Sequence, residues 1–216
     1  MNRQYIHILD DDSLLNIFYL YRRDLLDEGE ANSGAIMEGG RWSGERWWYK
    51  LTQVCRKWRL LILGSASYLR LCHLCTYRTP VAEVLAHSPS LPLIIDHMNG
   101  DLMNPNDEFG ILLALQHRDR LRRIRLHIPL PSLRNIVAAM NDEFPILEFL
   151  YIMPTTQYHP NLRLPDTFQG PRLCHLVLKW FAFPIGSPLL ATAAGLVTLT
   201  LELIYPSVPF HPHNFL

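Results

Sequence analysis

Apolar positions in the second half of the chain recur in a fixed phase. Leu121-Arg-Arg-Ile124-Arg-Leu126, Leu147-Glu-Phe-Leu150-Tyr-Ile152, Leu173-Cys-His-Leu176-Val-Leu178 and Leu196-Val-Thr-Leu199-Thr-Leu201 all read L-x-x-[LI]-x-[LI], at steps of 26, 26 and 23 residues. Alternation across the end of each hexamer predicts a short strand. A period in this range predicts parallel strands stacked side by side, each returning through a helix or an irregular segment. Residues 131–141, with Leu133, Ile136, Val137 and Met140 at helical spacing, form one predicted return, whereas 154–170 reads as irregular. A strand at 91–96 and a return helix at 107–117 form an expected earlier unit, with Leu91 lying 30 residues before Leu121.

In the first half the periodicity is helical. Leu14, Leu15, Ile17, Phe18 and Tyr21 follow Asp10, Asp11 and Asp12, which predicts a helix over 10–22 with Asp10 or Asp11 as its cap. Residues 24–46 carry five glycines among Asn, Ser and charged residues and read as a flexible loop. A second helix is expected over 47–63, with Leu51, Val54, Cys55, Trp58, Leu61 and Ile62 on one stripe and Lys50, Arg56, Lys57 and Arg59 largely on the other, ending at Gly64. The segment 67–76 alternates as a strand does, and Pro80 starts a further helix through Val84 and Leu85.

Composition narrows the classes. The 216 residues are 49% hydrophobic and 19% charged, which excludes a disordered chain. Twenty basic residues balance twenty acidic ones, so no whole-protein field draws the chain to nucleic acid or anionic lipid. The aspartates at 10–12 precede any apolar run of signal-peptide length, and the most apolar stretch, 189–199, is short and contains Thr192, Gly195 and Thr198. Four cysteines, Cys55, Cys72, Cys75 and Cys174, are too few for a disulfide framework, so the expected compartment is reducing and intracellular, cytoplasmic or nuclear.

Candidate chemistry is sparse. Cys72-His-Leu-Cys75 has metal-like spacing but no second pair at finger distance, and Cys55 sits in an apolar stripe where a packed thiol is expected. His211 and His213 read as surface residues, and Asp142-Glu143 as a helix end. The run His117 to His127 holds five arginines, but its leucines already have a repeat role and Asp107, Glu108 and Asp119 balance its charge. No phosphate loop, H-E-x-x-H or G-x-S-x-G is present. The expectation is a protein that is not an enzyme and binds no cofactor and no metal.

The hexamers and their period match leucine-rich repeats. In such strands the residues between the leucines line the concave sheet face: Arg123, Arg125 and His127; Phe149, Tyr151 and Met153; His175, Val177 and Lys179; Thr198, Thr200 and Glu202. A basic row beside an aromatic one suits an acidic peptide with an apolar anchor. Leu9-Asp-Asp-Asp-Ser-Leu14-Leu15-Asn-Ile17-Phe18, followed by Trp48, Leu51, Val54-Cys55-Arg-Lys-Trp58-Arg59 and Ser65, resembles the F-box motif. The chain as a whole is similar to the F-box proteins with degenerate leucine-rich repeats of mushroom-forming fungi. It departs from the motif at Asp10, where the family has proline, and in the insertion 24–46.

The resemblance implies a substrate-recruiting subunit of a Skp-cullin-F-box ubiquitin ligase. Its partners would be a Skp-type adaptor with its cullin ligase and an unidentified protein substrate, with no nucleic acid and no membrane. It implies adaptor contact through Leu9, Asp10, Leu14, Leu15, Ile17, Phe18, Val54, Cys55 and Trp58. The target would be held by Arg123, Arg125, His127, Phe149, Tyr151, Met153, His175 and Lys179. The expected architecture is α+β with α/β solenoid character: a helical module over 1–75 and a repeat domain over 76–216, cut short after the last repeat strand. A repeat scaffold without a ligase role is the alternative.

Overall fold

A computed structural model describes residues 9–31, 47–98, 103–156, 162–183, 188–202 and 205–206. The chain divides into two compact units, Met1–Leu74 and Cys75–Leu216.

In the first unit α1 spans Asp11–Ala31. Asp10 caps it: its carboxylate accepts the Ser13 N–H at 2.7 Å and the Ser13 hydroxyl at 3.1 Å. The helix runs on through 24–31, which the glycine and polar content marked as loop. Leu25, Leu26, Glu28, Glu30 and Ala31 are good helix formers, enough to carry the turns past Gly29. The rest of the expected insertion, 32–46, lies outside the described residues.

The single helix expected over 47–63 is two: α2, Trp47–Thr52, and α3, Arg56–Gly64. Cys55 separates them. Its backbone is extended and its Sγ accepts the Trp58 N–H at 3.5 Å, so it caps α3 and does not continue the α2 stripe. Leu14, Phe18, Trp47, Trp48, Ile62, Leu69 and Leu71 are buried. Phe18 meets Trp58 edge to face at 4.9 Å, and Trp48 Nε1–H reaches the Cys72 carbonyl at 3.2 Å.

The strand expected over 67–76 is shorter: β1 covers His73–Thr76, and turns occupy the residues before it. Next come α4 (Val81–His87), β2 (Leu93–His97), α5 (Pro105–Leu115), β3 (Leu121–Ile128), α6 (Leu130–Ala139), β4 (Phe149–Pro154) and β5 (His175–Lys179). The chain continues through β6 (Ala182–Phe183), α7 (Pro188–Thr192), β7 (Thr198–Glu202) and β8 (Tyr205–Pro206). β6 pairs with β8, and the other six strands form one parallel sheet in the order β1-β2-β3-β4-β5-β7. The fold class is α/β.

The repeat is the register of this sheet. Ile124 pairs with Leu150, Leu150 with Leu176, and Leu176 with Leu199, the same steps seen in the sequence. One backbone bond recurs at those steps as well: Glu148 N–H to Arg122 O, Cys174 N–H to Glu148 O, and Val197 N–H to Cys174 O, at 2.8–2.9 Å. Each turn of chain is thus tied to the one before it just ahead of its strand.

On one face of the sheet Ile124, Leu126, Ile128, Leu150, Ile152, Leu176 and Leu178 share a buried cluster with Ile111, Ala114 and Leu115 of α5 and Leu133, Ile136 and Val137 of α6. Burying one such side chain contributes about 1.5–3 kcal/mol, so this face is the main source of stability of the unit. Both expected return helices are present. The segment 162–170, within the expected irregular return, contributes Leu162, Leu164 and Phe168 to the same cluster without helix or strand of its own. Gly110 sits where a Cβ would come within 3.1 Å of Val81 Cγ2, so α4 and α5 approach closely at that turn.

Candidate functional site

The nine positions expected to contact an adaptor fall into four sets. Leu14 and Phe18 are buried, and Trp58, half-buried, packs on Phe18. Asp10 and Cys55 act as helix caps. Leu15 is half-buried and lines a shallow cleft with Asn16, Leu63 and Tyr68, between the start of α1 and the end of α3. Leu9, Ile17 and Val54 are exposed. Leu20 and Leu60 are exposed as well. Leu20 stands three residues beyond Ile17, on the same side of α1, so helical spacing was the signal that could have found it.

Charge ties the two ends of this unit together. Lys57 Nζ lies 3.0 Å from Asp11 Oδ1 and donates to the Leu9 carbonyl at 3.1 Å, which anchors the start of α1 to α3. The two hydrogen bonds from Ser13 hold the Asp10 carboxyl below its ordinary pKa. A depressed carboxylate contributes stability that is complete above the ordinary value, about 4, and lost as pH falls through the lowered one. Asp10→Ala is therefore expected to lower the melting temperature of the protein at neutral pH, and to change it little at pH values where Asp10 is already protonated. Circular dichroism melts of both proteins across that range check this.

The expected target face is a real face, but its middle is closed. Across the sheet Asp96, Arg125, Tyr151, Val177 and Thr200 stand side by side in register. Arg125 is 5% exposed, and Asp96, Tyr151 and Val177 are also buried, as are Phe149 and Lys179. Arg125 and Asp96 form an ion pair at 3.8 Å, Tyr151 donates its hydroxyl to Met153 Sδ at 3.2 Å, and Lys179 pairs with Glu202 at 3.1 Å. Arg125, Tyr151 and Lys179, expected among the residues that hold a target, are thus buried with partners inside the chain. Parallel sheets are usually buried on both faces, and polar side chains join such a face when each finds a partner. Arg123, His127, Met153 and His175 remain half-buried, flanking the closed row. His127 Nδ1 lies 3.3 Å from the Met153 carbonyl, and the Phe149 and His175 rings are 6.0 Å apart.

Other arginines of the 117–127 run have partners inside the second unit. Arg118 pairs with Asp142, Arg122 with Glu148 at 2.9 Å, and Arg120 donates to the Leu91 carbonyl at 3.0 Å.

One buried titratable group was not anticipated. His97 closes β2 on the helix side, where burial pushes its pKa down to about 4 against the pull of Asp107. Asp107, buried in the first turn of α5, accepts the Arg78 N–H at 2.7 Å on Oδ1, and Arg78 holds a left-handed backbone (φ 58) there. Asp107 Oδ2 is buried and, among the described residues, has no hydrogen-bond partner. No sequence pattern marks His97, because a histidine ending an apolar strand reads equally well as surface.

Cys72 and Cys75 are buried thiols beside and within β1. Among the described residues no group of three or more His, Cys, Asp or Glu is placed to hold a metal ion, and no helix is long and apolar enough to cross a membrane. His211 and His213 lie outside the described residues. No family model matches the chain, and no curated protein or solved structure is significantly similar to it.

Proposed function

We propose that the chain is a non-catalytic, substrate-recruiting F-box subunit of a Skp-cullin-F-box ubiquitin ligase. In this reading the first unit is an F-box-like helical module and the second an irregular leucine-rich-repeat-like solenoid. The observation that carries the proposal is the sorting of the motif positions: Leu14 and Phe18 build the interior of the first unit, while Leu9, Ile17 and Val54, joined by Leu20 and Leu60, stay on its surface. Large apolar side chains left outside a small helical unit are the usual mark of a protein interface. The chain's own contribution would be proximity: one surface held by the adaptor and another by a target raise the local concentration of that target near the ubiquitin-carrying enzyme. Target contact is confined to side chains at the open margins of the sheet face, Arg123, His127, Met153 and His175, because the row between them is closed.

The sorting makes the proposal testable by paired variants. Ile17→Asp and Val54→Asp alter exposed side chains, so the melting temperature should hold within a few degrees while adaptor affinity falls by about 30-fold or more, the effect of losing one strong interface contact. Pull-down with a purified Skp-type adaptor reads the affinity, and unchanged capture by both variants contradicts the proposal.

A further inference from the structure

β7 ends the six-stranded sheet. β5 pairs with it on one side, and among the described residues no strand pairs with it on the other. Val197, just before it, is 78% exposed, and Leu199 and Leu201 are 44% and 38% exposed, although the register aligns these two leucines with the fully buried Leu176 and Leu178. The backbone shows which groups face outward. Thr198 donates its N–H to the Cys174 carbonyl at 3.0 Å, and the Glu202 carbonyl accepts from Trp180 N–H at 2.9 Å, so the even-numbered residues aim their backbone groups at β5. By the alternation of a strand, the N–H and C=O groups of Leu199 and Leu201 point away from the sheet.

Exposed edges are commonly blunted by lysine, proline or a bulge. Residues 197–202 contain neither lysine nor proline, and their one charge, Glu202, is held by Lys179 at 3.1 Å.

We infer that this edge is a homodimer interface, in which β7 of two copies pair antiparallel about a two-fold axis at Thr200. The strand is complementary to itself in that register. Leu199 meets Leu201 of the second copy as a hydrogen-bonded pair, and symmetry repeats the pair, so every outward N–H and C=O of the two leucines finds a partner. Paired residues share a sheet face, so the apolar sides of the two strands coincide. Glu202 falls opposite Thr198 of the second copy and not opposite its own equivalent, which avoids a like-charge pair. A ladder of this length is a small interface, so the association is concentration-dependent. The inference rests on the edge geometry and is independent of the ligase reading.

Sedimentation velocity of the full chain over about a hundredfold concentration range tests it. The sedimentation coefficient should rise from monomer to dimer with concentration. Leu199→Lys should hold the protein as a monomer throughout, as should Leu201→Pro, which removes an outward N–H that β5 does not use. Hydrogen exchange supplies the control for folding: the Leu199 amide of the wild type should be slow only at high concentration, with the amides of β3 and β4 unchanged in both variants. A wild type that stays monomeric at every concentration overturns the inference, as does a dimer that both variants leave intact. Leu199 protection independent of concentration also overturns it, since the chain's own residues would then cover the edge.

Discussion

Arg125→Ala is expected to destabilise the second unit by about 3–5 kcal/mol, the usual consequence of removing one partner from a buried ion pair. Arg125 and Asp96 face each other from adjacent strands at 3.8 Å with both side chains buried, so truncating the arginine takes this cation from a carboxylate held away from water. Asp96→Ala should cost a comparable amount for the mirrored reason. Replacing both with apolar residues, Asp96→Leu with Arg125→Met, should be less damaging than either truncation, because no uncompensated charge remains and the Coulomb gain of a buried pair barely exceeds its desolvation cost. Urea denaturation of the wild type and these three variants checks the order, and adding Asp96→Ala with Arg125→Ala closes a double-mutant cycle that measures the coupling. The result bears on function too. If Arg125 lay on an open recognition face, its truncation would change stability by less than about 0.5 kcal/mol, the usual result for a surface site.

Stability should also fall as pH drops from about 6.5 to about 4, by roughly 3 kcal/mol, through His97 alone. The sign follows from its lowered pKa. Between the folded value of about 4 and the ordinary value near 6.5, the unfolded chain binds a proton that the folded chain refuses. The neutral imidazole thus contributes its full stabilisation above the ordinary value, and this disappears as pH approaches the folded one. Burial at the end of β2 is the cause, and it outweighs the nearby Asp107 carboxylate, which acts in the opposite direction. His97→Leu should remove this part of the pH dependence while keeping the side chain's volume inside the core. Urea midpoints across the window check it, and a wild-type curve that is no steeper than the variant's contradicts it.

The second unit was largely legible in the sequence because a parallel repeat writes its register as a spacing. Leu126, Ile152, Leu178 and Leu201 stand side by side at the same intervals that separate them along the chain, and the helix around Leu133, Ile136 and Val137 shows its buried face as a 3.6-residue period. The other face of the sheet was not legible. Alternation separates two faces but does not say which is wet, and Arg125, Tyr151 and Lys179 look the same in sequence whether solvated or paired in the interior. Two errors in the first unit have local causes. The periodicity from Trp47 to Leu63 spans the break at Cys55, because a cap made by a thiol leaves the apolar stripe unchanged. The extension of α1 to Ala31 was hidden by Gly29, whose cost of about 1 kcal/mol relative to alanine is small against the helix formers around it. The motif spacing alone could not separate Leu14 and Phe18, which fill the interior, from Ile17 and Val54, which face outward. That distinction needs the angle at which α1 and α3 meet.

The adaptor-binding surface proposed for the first unit is tested by co-expression of the full chain with a Skp-type adaptor, followed by size-exclusion chromatography with light scattering. The ligase reading predicts one peak whose mass includes both chains, lost on Ile17→Asp with Val54→Asp while each protein remains folded. A folded chain that elutes separately from the adaptor contradicts it.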